Sequence, residues 1–132
     1  MTDLQALHDS THTMVMGVLN ITEDSSSDGG LWLDPAKAAQ HGRDMMAAGA
    51  DIIDIGAEST RPGAKRVAEA DELARITGAV KTLIPAGAIL SIDTTRASVA
   101  AAALSEGTQI INDVSGGTLD AELPHVVADH DC

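Results

Sequence analysis

The chain has 132 residues, 44% of them hydrophobic, and carries 8 basic against 20 acidic side chains for a formal net charge of −12. That charge argues against nucleic acid or an anionic membrane as partner, since both need a basic face. No stretch approaches the roughly 18 uninterrupted apolar residues of a membrane span, and Met1 to Thr13 is a polar leader without a signal-peptide pattern. A small anionic substrate is not excluded, because a few local donors and a metal ion suffice to hold one. The length suits one domain. With no Phe or Tyr, and Trp32 as the one aromatic, the core must come from Ala, Val, Ile, Leu and Met. Cys132 has no partner within the chain, which fits a reducing, cytoplasmic setting.

Four short apolar runs follow in order: Val15 to Ile21, Ile52 to Ile55, Ala88 to Ile92 and Gln109 to Ile111. They are continuous rather than alternating, as in strands buried on both faces. Between the first two, Asp34-Pro35 offers an N-cap and a first-turn proline, and Gly49 closes the helix. Leu73, Ile76, Val80 and Leu83 recur at helical spacing and predict a second helix, stopped by Pro85 and Gly87. A third is expected from Thr94 or Thr95 through the Ala-rich Ser98 to Leu104, ending at Gly107. A fourth is expected from Asp120, carrying Leu123, Val126 and Val127. Strand and helix alternate four times, which implies a parallel sheet with helical crossovers.

Each strand runs into a polar cluster. The first holds Asn20 and Thr22, then Asp24 to Gly30. The second holds Asp54 and Gly56, then Glu58-Ser59-Thr60-Arg61-Pro62-Gly63. The third is Ser91-Ile92-Asp93-Thr94, and the fourth is Asn112-Asp113-Val114-Ser115-Gly116-Gly117. A parallel sheet brings all strand C-termini to one side, where β/α barrels and open α/β sheets place their sites. Asn and Asp oxygens are hard ligands suited to Mg²⁺. Ser, Thr and Arg61 supply donors for anionic oxygens. Asp93 suits the paired N–H groups of a guanidine-like heterocycle edge, and Asn112 both donates and accepts. Taken singly, an Asp-Gly or Ser-Gly-Gly reads as a turn and a strand-end Asp as a helix cap; four clusters in register read as a site. His8, His12, His41, His125 and His130 lack ligand spacing, and Met45-Met46 reads as core filling.

These clusters carry a family resemblance. Met16-Gly17-Val18-Leu19-Asn20-Ile21-Thr22, with Asp24-Ser25 and Ser27-Asp28-Gly29-Gly30, resembles the first signature of the dihydropteroate synthases. Gly49 to Gly56, running into Glu58-Ser59-Thr60-Arg61-Pro62-Gly63-Ala64, resembles their second. Ser91-Ile92-Asp93-Thr94 and Ile111 to Gly117 follow in the family's order. The resemblance implies that residues 14–132 are the N-terminal half of a pterin-binding TIM barrel, with about four β/α units present. It implies an enzyme of folate synthesis that joins 6-hydroxymethyl-7,8-dihydropterin diphosphate to p-aminobenzoate with Mg²⁺ and releases pyrophosphate, and a homodimer for the full-length family. By position, Asn20 would hold the Mg²⁺–diphosphate, and Thr60 and Arg61 would lie near the diphosphate and aminobenzoate. Asp93 and Asn112 would bind the pterin, with Asp93 and Arg61 catalytic.

The sequence departs from the family pattern at Glu23, where Pro is usual, and at Ala57, where Gly is common. It departs also at Ser26, where Phe usually walls the pocket for aminobenzoate and the sulfonamides that mimic it. The family's later Asp, Lys and Arg-x-His pair have no counterpart, so the expectation is a chain inactive alone, with inner strand faces and sheet edges uncovered. Two alternatives stand beside this reading: a non-catalytic truncated paralogue acting as a pterin-binding or interaction module, and a methyltetrahydrofolate-binding domain.

Overall fold

The structure is a computed structural model that describes residues 2–22, 34–59 and 62–132. In chain order it holds α1 (Thr2–His8), β1 (Met16–Asn20), α2 (Pro35–Ala47), β2 (Ile52–Gly56) and α3 (Glu69–Leu83). These are followed by β3 (Ile89–Asp93), α4 (Ala97–Ser105), β4 (Ile110–Asn112) and α5 (Leu123–Ala128). The four strands form one parallel sheet in the order β1-β2-β3-β4. Successive helices pack on one another, α2 on α3, α3 on α4 and α4 on α5. This is the alternation that the apolar runs predict. The helix stops also fall as expected, with Gly49 and Gly107 in the left-handed region at φ 112° and 108°, where a side chain would be strained.

The core lies on the helix side of the sheet. Leu19, Ile53, Ile55, Leu90 and Ile92 point outward and are buried against Ala38, Ile76, Val80, Leu83, Val99 and Ala103. Each large side chain removed from water here contributes about 1.5–3 kcal/mol. Small alanines on α2 and α4 let the helix backbones approach the strands closely, and Met45 and Met46 fill the edge of this cluster as expected. A smaller cluster of Ala97, Ala100 and Leu123, with Ile111 and Val126 against it, ties α5 to α4 and β4.

Local details depart from the sequence expectations for identifiable reasons. Burial on both faces fails at β1, where Met16 is 44% and Val18 52% exposed; both lie on the sheet face that no helix covers. The expected face of α3 is present, with Leu73 partly buried against the core, but the fully buried residues are Glu72, Ile76, Ala79, Val80 and Leu83, so a carboxylate joins the apolar stripe. Helix α4 starts at Ala97 rather than at Thr94 or Thr95, because Thr94 Oγ1 donates to Glu72 Oε2 at 2.8 Å and accepts from Arg96 N at 3.1 Å. Asp120 does not open α5. Its Oδ2 accepts from Ala97 N at 2.8 Å and its Oδ1 from Glu122 N at 3.0 Å, so it caps α4 from a distant loop and α5 begins at Leu123.

The leader contains α1, which its polar composition did not predict. His12 and Asp51 approach at 3.3 Å, and Asp51 Oδ2 accepts from Val15 N at 2.8 Å. These contacts anchor the entry to β1 at the N-terminal end of the sheet, opposite the polar clusters. No helix among the described residues is long and apolar enough to cross a membrane.

Candidate functional site

Two-residue alternation decides which side chains share a face. The strand register pairs Asn20 with Gly56, Gly56 with Asp93, and Asp93 with Asn112. These four positions form one row across the C-terminal edge of the sheet, on the face the helices leave open. The row beneath is Val18, Asp54, Ser91 and Ile110. Three predicted site residues, Asn20, Asp93 and Asn112, are therefore brought together by backbone pairing alone. Thr60 and Arg61 lie outside the described residues, as do Glu23, Ser26 and the rest of the first loop.

Gly56 matters because of what surrounds it. A Cβ built there would lie 3.4 Å from Asp93 Oδ2 and 3.6 Å from Asn20 Oδ1. The missing side chain thus leaves a cradle onto which a carboxylate oxygen and an amide oxygen converge. Asp93 is partly buried, and its pKa is pushed up to about 6, first by burial and then by the charges of Asp54, Glu72, Asp113 and Glu58. A carboxyl so placed still carries negative charge near neutrality, but holds it in poorly solvated surroundings where a cationic or N–H-rich partner is favoured.

Asp54, a member of the second polar cluster to which the sequence assigns no role, lies in the row beneath and beside the candidate site. Its carboxylate is 5% exposed and accepts from Asn112 Nδ2 at 3.4 Å on both oxygens. The signal was present, since Asp54 stands two residues before Gly56 and so shares its face. Ser91 lies beside Asp54 on β3, fully buried, and its Oγ has no hydrogen-bond partner.

A second polar system supports the loops from the helix side. Glu72, 0% exposed, accepts from Arg96 Nη1 at 2.7 Å as well as from Thr94. Arg96 Nη2 donates to Val67 O at 2.8 Å, and Nη1 stands 3.4 Å from Glu58 Oε1. The same Glu58 oxygen accepts from Val67 N at 2.9 Å and Arg66 Nε at 3.4 Å. Glu58 and Val67 are thereby pinned together, and both are tied to the start of α4. A cavity of about 470 Å³ beside this network is lined by Thr22, Ser59, Lys65, Arg66 and Arg75 among others, which gathers cationic side chains next to the second polar cluster. The helical signal for the network was Glu72 itself, an acidic residue four before Ile76 on the apolar stripe.

Other candidates resolve into structural roles. Asp113 accepts from Ser115 N and Oγ through Oδ1 and from Gly117 N through Oδ2, each at 2.8 Å. It builds the Asp-Val-Ser-Gly-Gly turn, the plain reading of such a motif. His8 and His12 contact Asp9 and Asp51, and His130 Nδ1 lies 2.7 Å from Val126 O. Cys132 is exposed, and its thiol pKa is raised by desolvation and by Asp131, which opposes reactivity. Among the described residues no group of three or more His, Cys, Asp or Glu side chains could hold a metal ion.

Comparison with known proteins accords with this geometry. The profile of the pterin binding enzyme family matches residues 16–132. Dihydropteroate synthase of Mycobacterium leprae is 56% identical over 115 residues, which cover 87% of this chain and 40% of that protein. The Xanthomonas albilineans dihydropteroate synthase structure with 4-aminobenzoic acid superposes with a TM-score of 0.81 at 39% identity, covering 90% of this chain and 44% of the other. The Burkholderia cenocepacia enzyme complexed with 7,8-dihydropteroate gives 0.78 at 38%, covering 91% and 39%. The chain thus spans less than half the length of the relatives it matches, and its four β/α units are part of a TIM barrel. By motif, fold and register, it belongs to the family of pterin binding enzymes.

Proposed function

We propose that this chain carries the N-terminal half of a dihydropteroate synthase site and that, within a complete barrel, it condenses 6-hydroxymethyl-7,8-dihydropterin diphosphate with p-aminobenzoate to give 7,8-dihydropteroate and pyrophosphate. The observation that carries this reading is the row Asn20-Gly56-Asp93-Asn112, with Asp93 and Asn112 side by side next to an open cradle. Asp93 and Asn112 hold the heterocycle edge. As the diphosphate departs, positive charge develops on the pterin methylene, and the poorly solvated Asp93 carboxylate stabilises it. The amine of p-aminobenzoate then attacks that carbon. Thr60 and Arg61 are assigned to the diphosphate and aminobenzoate from their motif positions.

The donor set near Gly56 suits Mg²⁺, since Asn20 Oδ1 is a hard oxygen ligand and Mg²⁺ commonly takes one or two protein oxygens together with substrate phosphate. Asn20 would hold the ion, which when bound supplies neutralisation of the departing diphosphate. The complete enzyme is proposed to be cytoplasmic and a homodimer; the lone Cys132 supports the first, and the family resemblance the second.

Titration of the chain with fluorescent 6-hydroxymethylpterin, with and without diphosphate and Mg²⁺, tests the reading. Saturable binding that Asp93→Ala abolishes is expected, whereas no binding at millimolar ligand would overturn it. A coupled assay for dihydropteroate, run beside a full-length relative, should show turnover only in the relative.

A further inference from the structure

We infer that Asp54 is a positioning residue of the pterin site: it fixes the Asn112 amide with Nδ2 turned inward and Oδ1 turned toward the ligand. The inference rests on the pterin reading above for the ligand's identity, but its geometry stands on this chain's own contacts. Asp54 lies on β2 and Asn112 on β4, so the Asn112 side chain reaches across β3 to meet both carboxylate oxygens at 3.4 Å. Each contact is long. Both nevertheless run from Nδ2, the donor end of the amide, to carboxylate oxygens, the acceptors it can meet. A flipped Asn112 would set its carbonyl oxygen against the buried carboxylate oxygens of Asp54, acceptor against acceptor.

Ser91 makes this reach possible. It stands beside Asp54 on the intervening strand, and its small, fully buried side chain leaves the span clear. A second observation points the same way. Asp54 is among the like charges that push the Asp93 pKa up, so a carboxylate is kept here against local electrostatics. An Asn at this position would satisfy the packing without that repulsion. A local cost without a structural gain is the usual mark of a functional position.

With the amide polarity fixed, the row presents Asn112 Oδ1 next to the Asp93 carboxylate, two acceptors on adjacent strands. Such a pair selects a heterocycle edge with neighbouring N–H donors and disfavours one that presents acceptors.

Two readouts test the assignment. First, Asp54→Asn should weaken 6-hydroxymethylpterin binding roughly 10-fold, as removal of the outer-shell partner of a metal ligand weakens metal binding, while the exposed control Asp129→Asn leaves it unchanged. Second, the side-chain amides report directly, because Asn20 and Asn112 are the only two asparagines. In the unaltered chain the Asn112 Nδ2 protons should exchange more slowly than those of Asn20, and that protection should vanish in Asp54→Asn. If the unaltered chain binds the pterin and Asp54→Asn binds equally well, the inference is overturned and the proposed function stands. If the unaltered chain binds no pterin, the proposed function falls, and the positioning of Asn112 is then upheld or overturned by the amide exchange alone. Should Asp54→Asn not fold, Asn112 protons exchanging as fast as those of Asn20 in the unaltered chain would still overturn it.

Discussion

The two faces of the sheet are built from the same strands and obey opposite rules. The outer face is apolar, and α2, α3 and α4 bury it; Leu19, Ile55 and Ile92 are completely withdrawn from water. The inner face carries Asn20, Asp54, Asp93 and Asn112 and leaves Met16 and Val18 in solvent. The outer face is where folding free energy is gained. The inner face gathers carboxylates whose repulsion pushes the Asp93 pKa up, and it carries the candidate site. Strand alternation separates the two faces at single-residue resolution: Ile53 and Ile55 enter the core while Asp54, between them, faces Asn112 on the inner side.

Substitutions on the two sides should separate the faces by size and by sign. Arg96→Ala should have the largest effect, because it leaves the fully buried Glu72 without its guanidinium; about 3–5 kcal/mol is expected for a broken buried pair, measured by urea unfolding. Ile55→Ala, on the outer face, should cost about 2–5 kcal/mol by transfer and cavity formation.

Asp93→Asn should act with the opposite sign above pH 6. The folded pKa of Asp93, about 6, lies above its ordinary 3.8. The folded state therefore binds that proton more tightly than the unfolded chain does. The stability this contributes is fully present below pH 3.8 and is lost as pH rises through 6. The variant should accordingly flatten the fall in stability between pH 4 and 7 and melt higher than the parent at pH 7.5. A lower melting temperature there would break the contrast between the faces.

Val18→Ala on the inner face should be the smallest change, within about 0.5 kcal/mol, as at an exposed position. A loss as large as that of Ile55→Ala would show that something covers this face in solution.

Much of this architecture was legible in one dimension. Four apolar runs, the Asp34-Pro35 start and the glycine stops specified the β/α alternation, since strand and helix periods and caps are local properties of the chain. The polar clusters at strand ends marked a candidate site, and parallel pairing sets their described members Asn20, Gly56, Asp93 and Asn112 in one row. Less legible were pairings between residues far apart in sequence. Asp120 reads as the start of its own helix yet caps α4, and Glu72 interrupts an apolar stripe because Arg96, 24 residues later, meets it. The inner exposure of β1 likewise could not be read from Val15 to Ile21, because a continuous apolar run does not say which face is covered.

The sequence by itself determined the family, the order of elements and three members of the row, Asn20, Asp93 and Asn112, because motif spacing and two-residue alternation are written along the chain. Only the tertiary structure decided that Asp54 meets Asn112 across β3, that Gly56 opens a cradle between Asn20 and Asp93, and that burial among neighbouring carboxylates lifts Asp93 to about 6. Each of those depends on distances between strands and on how much water remains around a charge, quantities that exist only once the sheet is assembled.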